Sequence, residues 1–583
     1  MNNRVRDFST NRTVLVDEMD TPFATAAATC LERAKWQQTL FAPFPKRRSV
    51  QELARSWPVR TIRVRIHRNH AFEPLEAVLR QYLAFAGFAA EFVYSQYDDS
   101  LSFYTGDSAE VELVWLDLSR YAVALGIDEI AQWLGSRLTE LRQRTAAPIL
   151  VLMVASSDAE GRAIDARLRT RAADLVGLLI CDQAPIHEEL GSNYFDSRAA
   201  ITGTRLSNAA CIHTARHLGS LWIPGALEPR LKALVLDLDD TLYYGALAEE
   251  GIAGVRLTAD HAALQHRLVA LWKEGLLLSV CSKNEPTDVR ELFAARTDFP
   301  LGLKHFSAVE AGWGAKRDGI LRISKSLGIG TDAMLYVDDN PGELADVASG
   351  MPALKTLYAG PRAADVVNAL VYFPGLHRWH ADETDVLRAP DLAAAETRRK
   401  MGSSTRDASE YFRSLDIHLR FARNRCGDVE RLAALSRKTN QFNLALRRLT
   451  SVDVARFIST PNQGAVSVRL CDRLSDSGIV AALFFRREGE TLMVEEVCVS
   501  CRALGRRLED VMILGAIRFG AEGPPPVNVR FCRVEGARNK PAIDWLGKLS
   551  GGVTSQDGWV SVPWNVPAIE KLIANIPITL QYE

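Results

Sequence analysis

The chain has no uninterrupted apolar run approaching about 18 residues, so no membrane-spanning helix is expected. Its first residues, Met1-Asn-Asn-Arg-Val-Arg-Asp7, lack the apolar core of a signal peptide. Neither charge dominates: 70 Lys+Arg stand against 71 Asp+Glu, a net charge of -1, which argues against a globally basic nucleic-acid binder. Nine cysteines, an odd number scattered along 583 residues, do not make a disulfide framework and fit a reducing compartment. These absences predict a cytoplasmic protein with no membrane and no nucleic-acid partner.

What is present is the composition of an ordinary globular protein, 47% hydrophobic and 24% charged. The length is too great for one core and predicts about three or four domains. Residues 1–60 mix helical patches with Pro-rich turns. Residues 61–225 read as a doubly wound α/β domain. Ile62–Ile66, Val111–Leu116, Pro148–Val154 and Leu175–Cys181 are predicted strands, and Glu73–Phe85, Asp128–Thr145 and Asp158–Ala173 predicted helices. Ser207–Leu218 is a further helix, and Pro224 and Pro229 punctuate the passage to the next domain. Residues 229–375 form a second such domain, 376–415 a linker with helix, and 416–583 a last domain of mixed α/β pattern. The predicted fold class is therefore α/β and multi-domain, with Rossmann-like parallel-sheet domains followed by a mixed α/β domain.

The chemistry concentrates in the second domain. Lys232-Ala-Leu-Val-Leu-Asp237-Leu-Asp239-Asp240-Thr241 is a buried-strand pattern that ends in three carboxylates and a threonine. Crowded carboxylates repel one another and resist desolvation, so such a cluster usually holds a cation or does chemistry. A polar flap, Gly245 to Val255, follows, then a helix from Asp260 to Glu274. The strand Leu276–Cys281 runs into Ser282-Lys283-Asn284, and Pro286 opens another helix. Lys316 begins a helix to Leu327, and the strand Ala333–Val337 runs into Asp338-Asp339-Asn340-Pro341. Singly these are an N-cap serine, a solvated lysine and a turn. In this order, each at a strand end or helix start, they form one set. Between Asp237 and Ser282 there is room for a flap, a helix and a strand but not for a large cap domain, which predicts a site open to a bulky or protein-tethered substrate.

Asp237-x-Asp239-x-Thr241, Ser282, Lys316 and Asp338-Asp339 resemble the four motifs of the haloacid dehalogenase superfamily. The surrounding text, with Cys281-Ser-Lys-Asn284, Thr439-Asn-Gln-Phe-Asn443 and Ser500-Cys-Arg-Ala-Leu-Gly505, is similar to the FkbH-like branch (subfamily IIIC) over roughly 61–531. The resemblance implies covalent phosphoryl transfer. Asp237 would be the nucleophile and Asp239 the acid and base. Thr241, Ser282, Lys283, Asn284 and Lys316 would bind phosphate. Mg²⁺ would sit on Asp237, the Asp239 carbonyl and Asp338 or Asp339. It also implies a three-carbon glyceryl unit taken from 1,3-bisphosphoglycerate, carried on an enzyme cysteine and loaded onto an acyl carrier protein in polyketide-type biosynthesis. The departures are the flap Asp240-Thr-Leu-Tyr243-Tyr244-Gly245, where one glycine is lost, and Arg507.

The cysteine stays open between Cys281, beside Ser282, and Cys501, ahead of a predicted helix N-terminus and next to Arg502. Residues 61–225 resemble a degenerate SGNH hydrolase, with His67-Arg-Asn69-His70 after the first strand but no serine at the nucleophile position. Residues 416–583 resemble a GNAT acyltransferase fold. Ser500 to Arg507 would open the helix through Phe519 and receive an anion, and Arg502, Arg506 and Arg507, with Arg437, Lys438, Arg447 and Arg448, would dock an acidic carrier. The competing expectations are a plain Mg²⁺-dependent phosphatase of a small phosphomonoester and an inactive carrier-protein scaffold.

Overall fold

Two of the three large sheets are five-stranded and wholly parallel, and this places the functional residues. The computed structural model describes residues 4–6, 13–15, 21–97, 100–103, 106–121, 126–155, 159–172, 175–380, 382–404, 407–521, 523–552 and 557–583. The chain divides into two compact units, Met1–Ala381 and Asp382–Glu583. Among the described residues no helix is long and apolar enough to cross a membrane.

In the first unit one sheet runs Phe88–Tyr97, Arg60–Arg68, Val111–Leu116, Ile149–Met153, Leu178–Cys181, every pair parallel. The other runs Phe306–Ala311, Leu277–Ser282, Ala233–Leu236, Met334–Asp338, Lys355–Tyr358, again all parallel. Ile149–Met153 and Ala233–Leu236 are continuous apolar runs because helices cover both their faces. In each sheet the chain starts in the interior and turns outward in both directions. The switch points therefore lie between Arg60–Arg68 and Val111–Leu116 and between Ala233–Leu236 and Met334–Asp338, where such folds open a crevice at the carboxyl ends. Buried side chains from both sheets belong to one contiguous core. The helix Thr21–Leu40 joins it: Gln37 donates to the Tyr358 carbonyl at 2.7 Å and accepts from the Tyr358 N–H at 3.1 Å, closing the open edge of the second sheet.

Several local expectations are corrected. The flap is helical, Leu247–Gly254, kinked at Gly251, which has φ 68°. The helix expected to end at Leu218 continues: Asn208–His217 passes through a π-turn, Leu218–Trp222, into Ile223–Leu227. Pro224 does not break it, because it directly follows the π-turn, where the regular i→i−4 ladder is already interrupted. Asp158 and Ala173, the expected bounds of another helix, lie outside the described residues, and the helix seen is Ala159–Ala172.

The second unit holds a seven-stranded mixed sheet in the order Trp559–Pro563, Asn528–Cys532, Thr491–Val499, Asp476–Glu488, Gln463–Cys471, His418–Arg423, Thr579–Tyr582. Two of its pairs are parallel and the rest antiparallel. The α/β fold class is thus observed, two parallel sheets and one mixed. The helix expected to open within Ser500–Arg507 begins at Glu509 and runs to Gly520. Turns occupy Cys501 to Arg507, with Arg507 in the left-handed region at φ 60°.

Candidate active site

Asp237 and Asp338 sit at the carboxyl ends of neighbouring parallel strands, so the register that pairs Leu236 with Val337 brings the two carboxylates side by side. Lys316, first residue of the helix Lys316–Leu327, places its ammonium between them, 2.9 Å from Asp237 and 2.5 Å from Asp338. All three side chains are buried. Tyr336, two residues before Asp338 and on the same strand face, donates to Asp338, as does the N–H of Asn340 at 2.7 Å. Ligand atoms of Asp237, Asp338 and Asp339 lie within 4.8 Å of one another.

The electrostatics are those of a cluster short of positive charge. Burial, then the Asp338 carboxylate, push Asp237 well above the ordinary carboxylate range against the pull of Lys316. The same two causes raise Asp339 to about 7. Burial disfavours the charge on Lys316, but Asp237 and Asp338 outweigh it and raise its pKa. Three carboxylates share one ammonium, in a donor set of oxygens only. A hard divalent cation such as Mg²⁺ fits that deficit, and Asp237, Asp338 and Asp339 could hold it.

Asp239 is fixed from three sides. Tyr243 Oη donates to Oδ1 at 2.7 Å, the Leu247 N–H to Oδ1 at 3.1 Å, and Asn284 Nδ2 to Oδ2 at 2.8 Å. The same Asn284 amide lies 3.0 Å from Ser282 Oγ, so motif residues from two strand ends share one hydrogen-bond chain. The left-handed backbone at Asp240, φ 49°, turns the chain so that Asp240 caps the Gly245 N–H at 2.8 Å. Thr241 is buried and its hydroxyl has no hydrogen-bond partner. Lys283 is paired with Glu343. The flap closes on itself through the Tyr244 and Arg256 backbones, 2.9 Å in both directions.

Asp237, Asp239, Thr241, Ser282, Asn284, Lys316, Asp338 and Asp339 are therefore brought to one crevice. Cys281 adjoins it differently. Strand alternation turns its thiol away from Ser282 and onto the helix beginning at Lys316, whose carbonyl lies 3.5 Å from the sulfur. It is 3% exposed, and burial pushes the thiol up to about 12. Cys501 is half-buried and belongs to the second unit.

The basic residues expected to form a docking face are largely engaged within their own unit. Arg506 pairs with Asp391 at 3.0 Å and Asp472 at 3.3 Å, and Arg502 donates to the Thr384 carbonyl at 3.2 Å. Arg448 caps the carbonyls of Ser436, Arg437 and Thr439, and Arg447 pairs with Glu495. Burial lowers Lys438 to about 8. Of the three arginines singled out for carrier docking, only Arg507 is exposed. Glu509 accepts from the Gly505 N–H at 2.9 Å, so a carboxylate of the chain itself takes the place expected for a bound anion. Sequence reasoning notes Tyr243 only as a departure in the flap, not as a partner of Asp239, and does not single out Tyr336. Tyr336 was legible, since residue i−2 on a strand shares the face of residue i, whereas the reach of Tyr243 depends on the turn at Asp240.

No protein-family model matches the chain, and no curated protein does. Among solved structures it is similar to the N-terminal part of a Bacteroides fragilis protein containing a phosphatase domain complexed with Mg. That likeness has 18% identity and a TM-score of 0.46 over 60% of this chain and 99% of that one. It is also similar to a HAD-superfamily hydrolase of subfamily IA, variant 1, from Geobacter sulfurreducens PCA. There the identity is 15% and the TM-score 0.17, over 24% of this chain and 98% of that one.

Proposed function

We propose that this chain is a divalent-cation-dependent phosphohydrolase of the haloacid dehalogenase type, acting through Asp237. The observation that carries the reading is the buried Asp237–Lys316–Asp338 bridge at the switch point of a parallel sheet, with Asp239 immobilised one turn beyond it. A carboxylate oxygen of Asp237 attacks phosphorus and the bond to the leaving oxygen breaks, giving an aspartyl phosphate. Asp239 gives its proton to the leaving oxygen, then takes one from the water that cleaves the acyl phosphate. Its three fixed donors keep the carboxyl group in one orientation for both steps. Lys316, Ser282 and the unpartnered Thr241 hydroxyl supply donors for the phosphoryl oxygens. When bound by Asp237, the Asp239 carbonyl and the Asp338/Asp339 pair, Mg²⁺ supplies charge that offsets repulsion between nucleophile and phosphate.

The finer reading, glyceryl transfer from 1,3-bisphosphoglycerate to an acyl carrier protein, needs a thiolate that substrate can reach. The buried, high-pKa thiol of Cys281 argues against that residue, and the half-buried Cys501 is the better candidate. Hydrolysis of p-nitrophenyl phosphate by the purified chain tests the first reading. Turnover is expected with Mg²⁺ and not with EDTA, and Asp237→Asn is expected to abolish it; release at the parental rate by that variant would show the nucleophile to be misassigned. Intact-protein mass spectrometry after incubation with 1,3-bisphosphoglycerate tests the second, through an adduct retained in Cys281→Ala and lost in Cys501→Ala.

A further inference from the structure

We propose that the cavity over the strands Arg60–Arg68 and Phe88–Tyr97 is a second ligand site, separate from the phosphoryl centre, for a small hydroxylated organic anion. Between Phe88–Tyr97 and Val111–Leu116 the described residues form no helix. The helices Ile127–Arg144 and Ala159–Ala172 pack on Val111–Leu116 and the strands beyond it on this face, but none of the described helices comes from the crossover that would cover Arg60–Arg68 and Phe88–Tyr97. The sequence of that face is made for something other than a helix. Ile62, Val64 and Ile66 point into the core, and the alternate positions are Arg63, Arg65 and His67. A cavity of about 1030 Å³ opens there, at the upper end of the range for small-molecule sites, with Phe103 and Tyr97 among its apolar walls.

Its polar atoms are placed but incompletely used. Arg65 Nη1 donates to Glu112 Oε1 at 2.9 Å, and His67 Nε2 lies 2.9 Å from Glu112 Oε2. The hydrogen on that bond must come from the imidazole, because the carboxylate only accepts. His67 is 2% exposed, lines the cavity, and its Nδ1 has no partner. Arg68 Nε, lining the same cavity, is likewise a buried donor with no partner. Arg63 reaches Glu91 and Asp107 only at 3.7 and 3.8 Å and donates to the Ser108 carbonyl at 3.5 Å, long contacts that leave its guanidinium donors for an anion. Buried polar atoms are rarely left unpaired in native proteins, and such exceptions mark places where a ligand or water completes the set. A hydroxyl, which can donate or accept, pairs with His67 Nδ1 while a carboxylate or phosphate of the same molecule accepts from Arg68 and Arg63.

Isothermal titration of the full chain in EDTA tests this with three probes: D-gluconate, which carries both features, sorbitol with hydroxyls alone, and inorganic phosphate with charge alone. One gluconate per chain is expected to bind at least about tenfold more tightly than either partial probe. Arg63→Ala and His67→Phe should each weaken it about tenfold or more, the loss of one charge-assisted or buried hydrogen bond. Asp237→Asn should leave the affinity unchanged. Absence of gluconate binding, an unchanged affinity in Arg63→Ala, or a loss in Asp237→Asn would each overturn the proposal. Arg63 is partly exposed, so its variant reports on binding even if His67→Phe does not fold.

Discussion

Replacing Tyr243 by phenylalanine removes one oxygen atom from the site and little else, so it isolates the orientation of Asp239. The ring is fully buried and stacked on Phe299, with centroids 5.9 Å apart, and phenylalanine keeps that packing. What is lost is the 2.7 Å bond from the hydroxyl to Asp239 Oδ1. A hydrogen bond to a charged group contributes about 1.5–3 kcal/mol. Asp239 keeps the Leu247 N–H and Asn284, so the lower end applies, and about 1.5 kcal/mol at the transition state is roughly a tenfold fall in kcat. Substrate phosphate does not touch Tyr243 in this mechanism, so KM should change by less than about twofold. Steady-state hydrolysis of p-nitrophenyl phosphate separates the two constants, and thermal denaturation checks that the fold is intact. If kcat stays within about twofold of the parent while the protein remains folded, the carboxyl group of Asp239 does not depend on this bond and the assigned geometry of acid–base catalysis is wrong.

Three other outcomes follow from the fold. A Cβ on Gly219, in the π-turn Leu218–Trp222, would sit 2.6 Å from Tyr82 Cβ and 3.1 Å from the Leu83 backbone, so Gly219→Ala should destabilise the first unit by about 1–3 kcal/mol in urea denaturation. Gln37→Leu leaves the Tyr358 N–H and carbonyl without their side-chain partner at the covered sheet edge, and a loss of about 1–3 kcal/mol is expected by the same measurement. Burial lowers His70 to about 3 and His217 to about 4. The unfolded chain therefore binds protons below about pH 6.5 that the folded chain does not, and stability should fall by roughly 1.4 kcal/mol per pH unit per histidine as pH drops from about 6.5 toward the folded values. A urea midpoint for the first unit that stays flat from pH 7 to 5 would contradict the neutral burial of these rings.

Much of the first unit was legible because its strands are short apolar runs with punctuation at both ends. Ala233–Leu236, Leu277–Ser282 and Met334–Asp338 were each located to within a residue or two, and the polar residue at the end of each run is one that the proposed mechanism uses. The strands Phe88–Tyr97, Phe306–Ala311, Lys355–Tyr358, Asn528–Cys532, Trp559–Pro563 and Thr579–Tyr582 were not read. Several lie at or next to sheet edges, with mixed burial that weakens the apolar signal. The helix placed at Ser500 fails for a different reason: Cys501 to Arg507 form successive turns, and Gly505 and Arg507 both adopt positive φ, which no helix accommodates.

By itself the sequence determined that carboxylates crowd at the end of an apolar strand, where they hold a cation or do chemistry, and the resemblance of the motifs implied that the chemistry is phosphoryl transfer. It determined their order along the chain and the α/β class that brings them to strand ends. The tertiary structure decided what those residues meet. The pairing of Leu236 with Val337 puts Asp237 beside Asp338, and Lys316 then bridges both at 2.9 and 2.5 Å. Strand alternation turns Ser282 and the Cys281 thiol to opposite faces, and buried carboxylates take up arginines that read as a docking surface. Such outcomes depend on register, side-chain direction and the burial of distant partners, which are set only when the sheets and helices close around them.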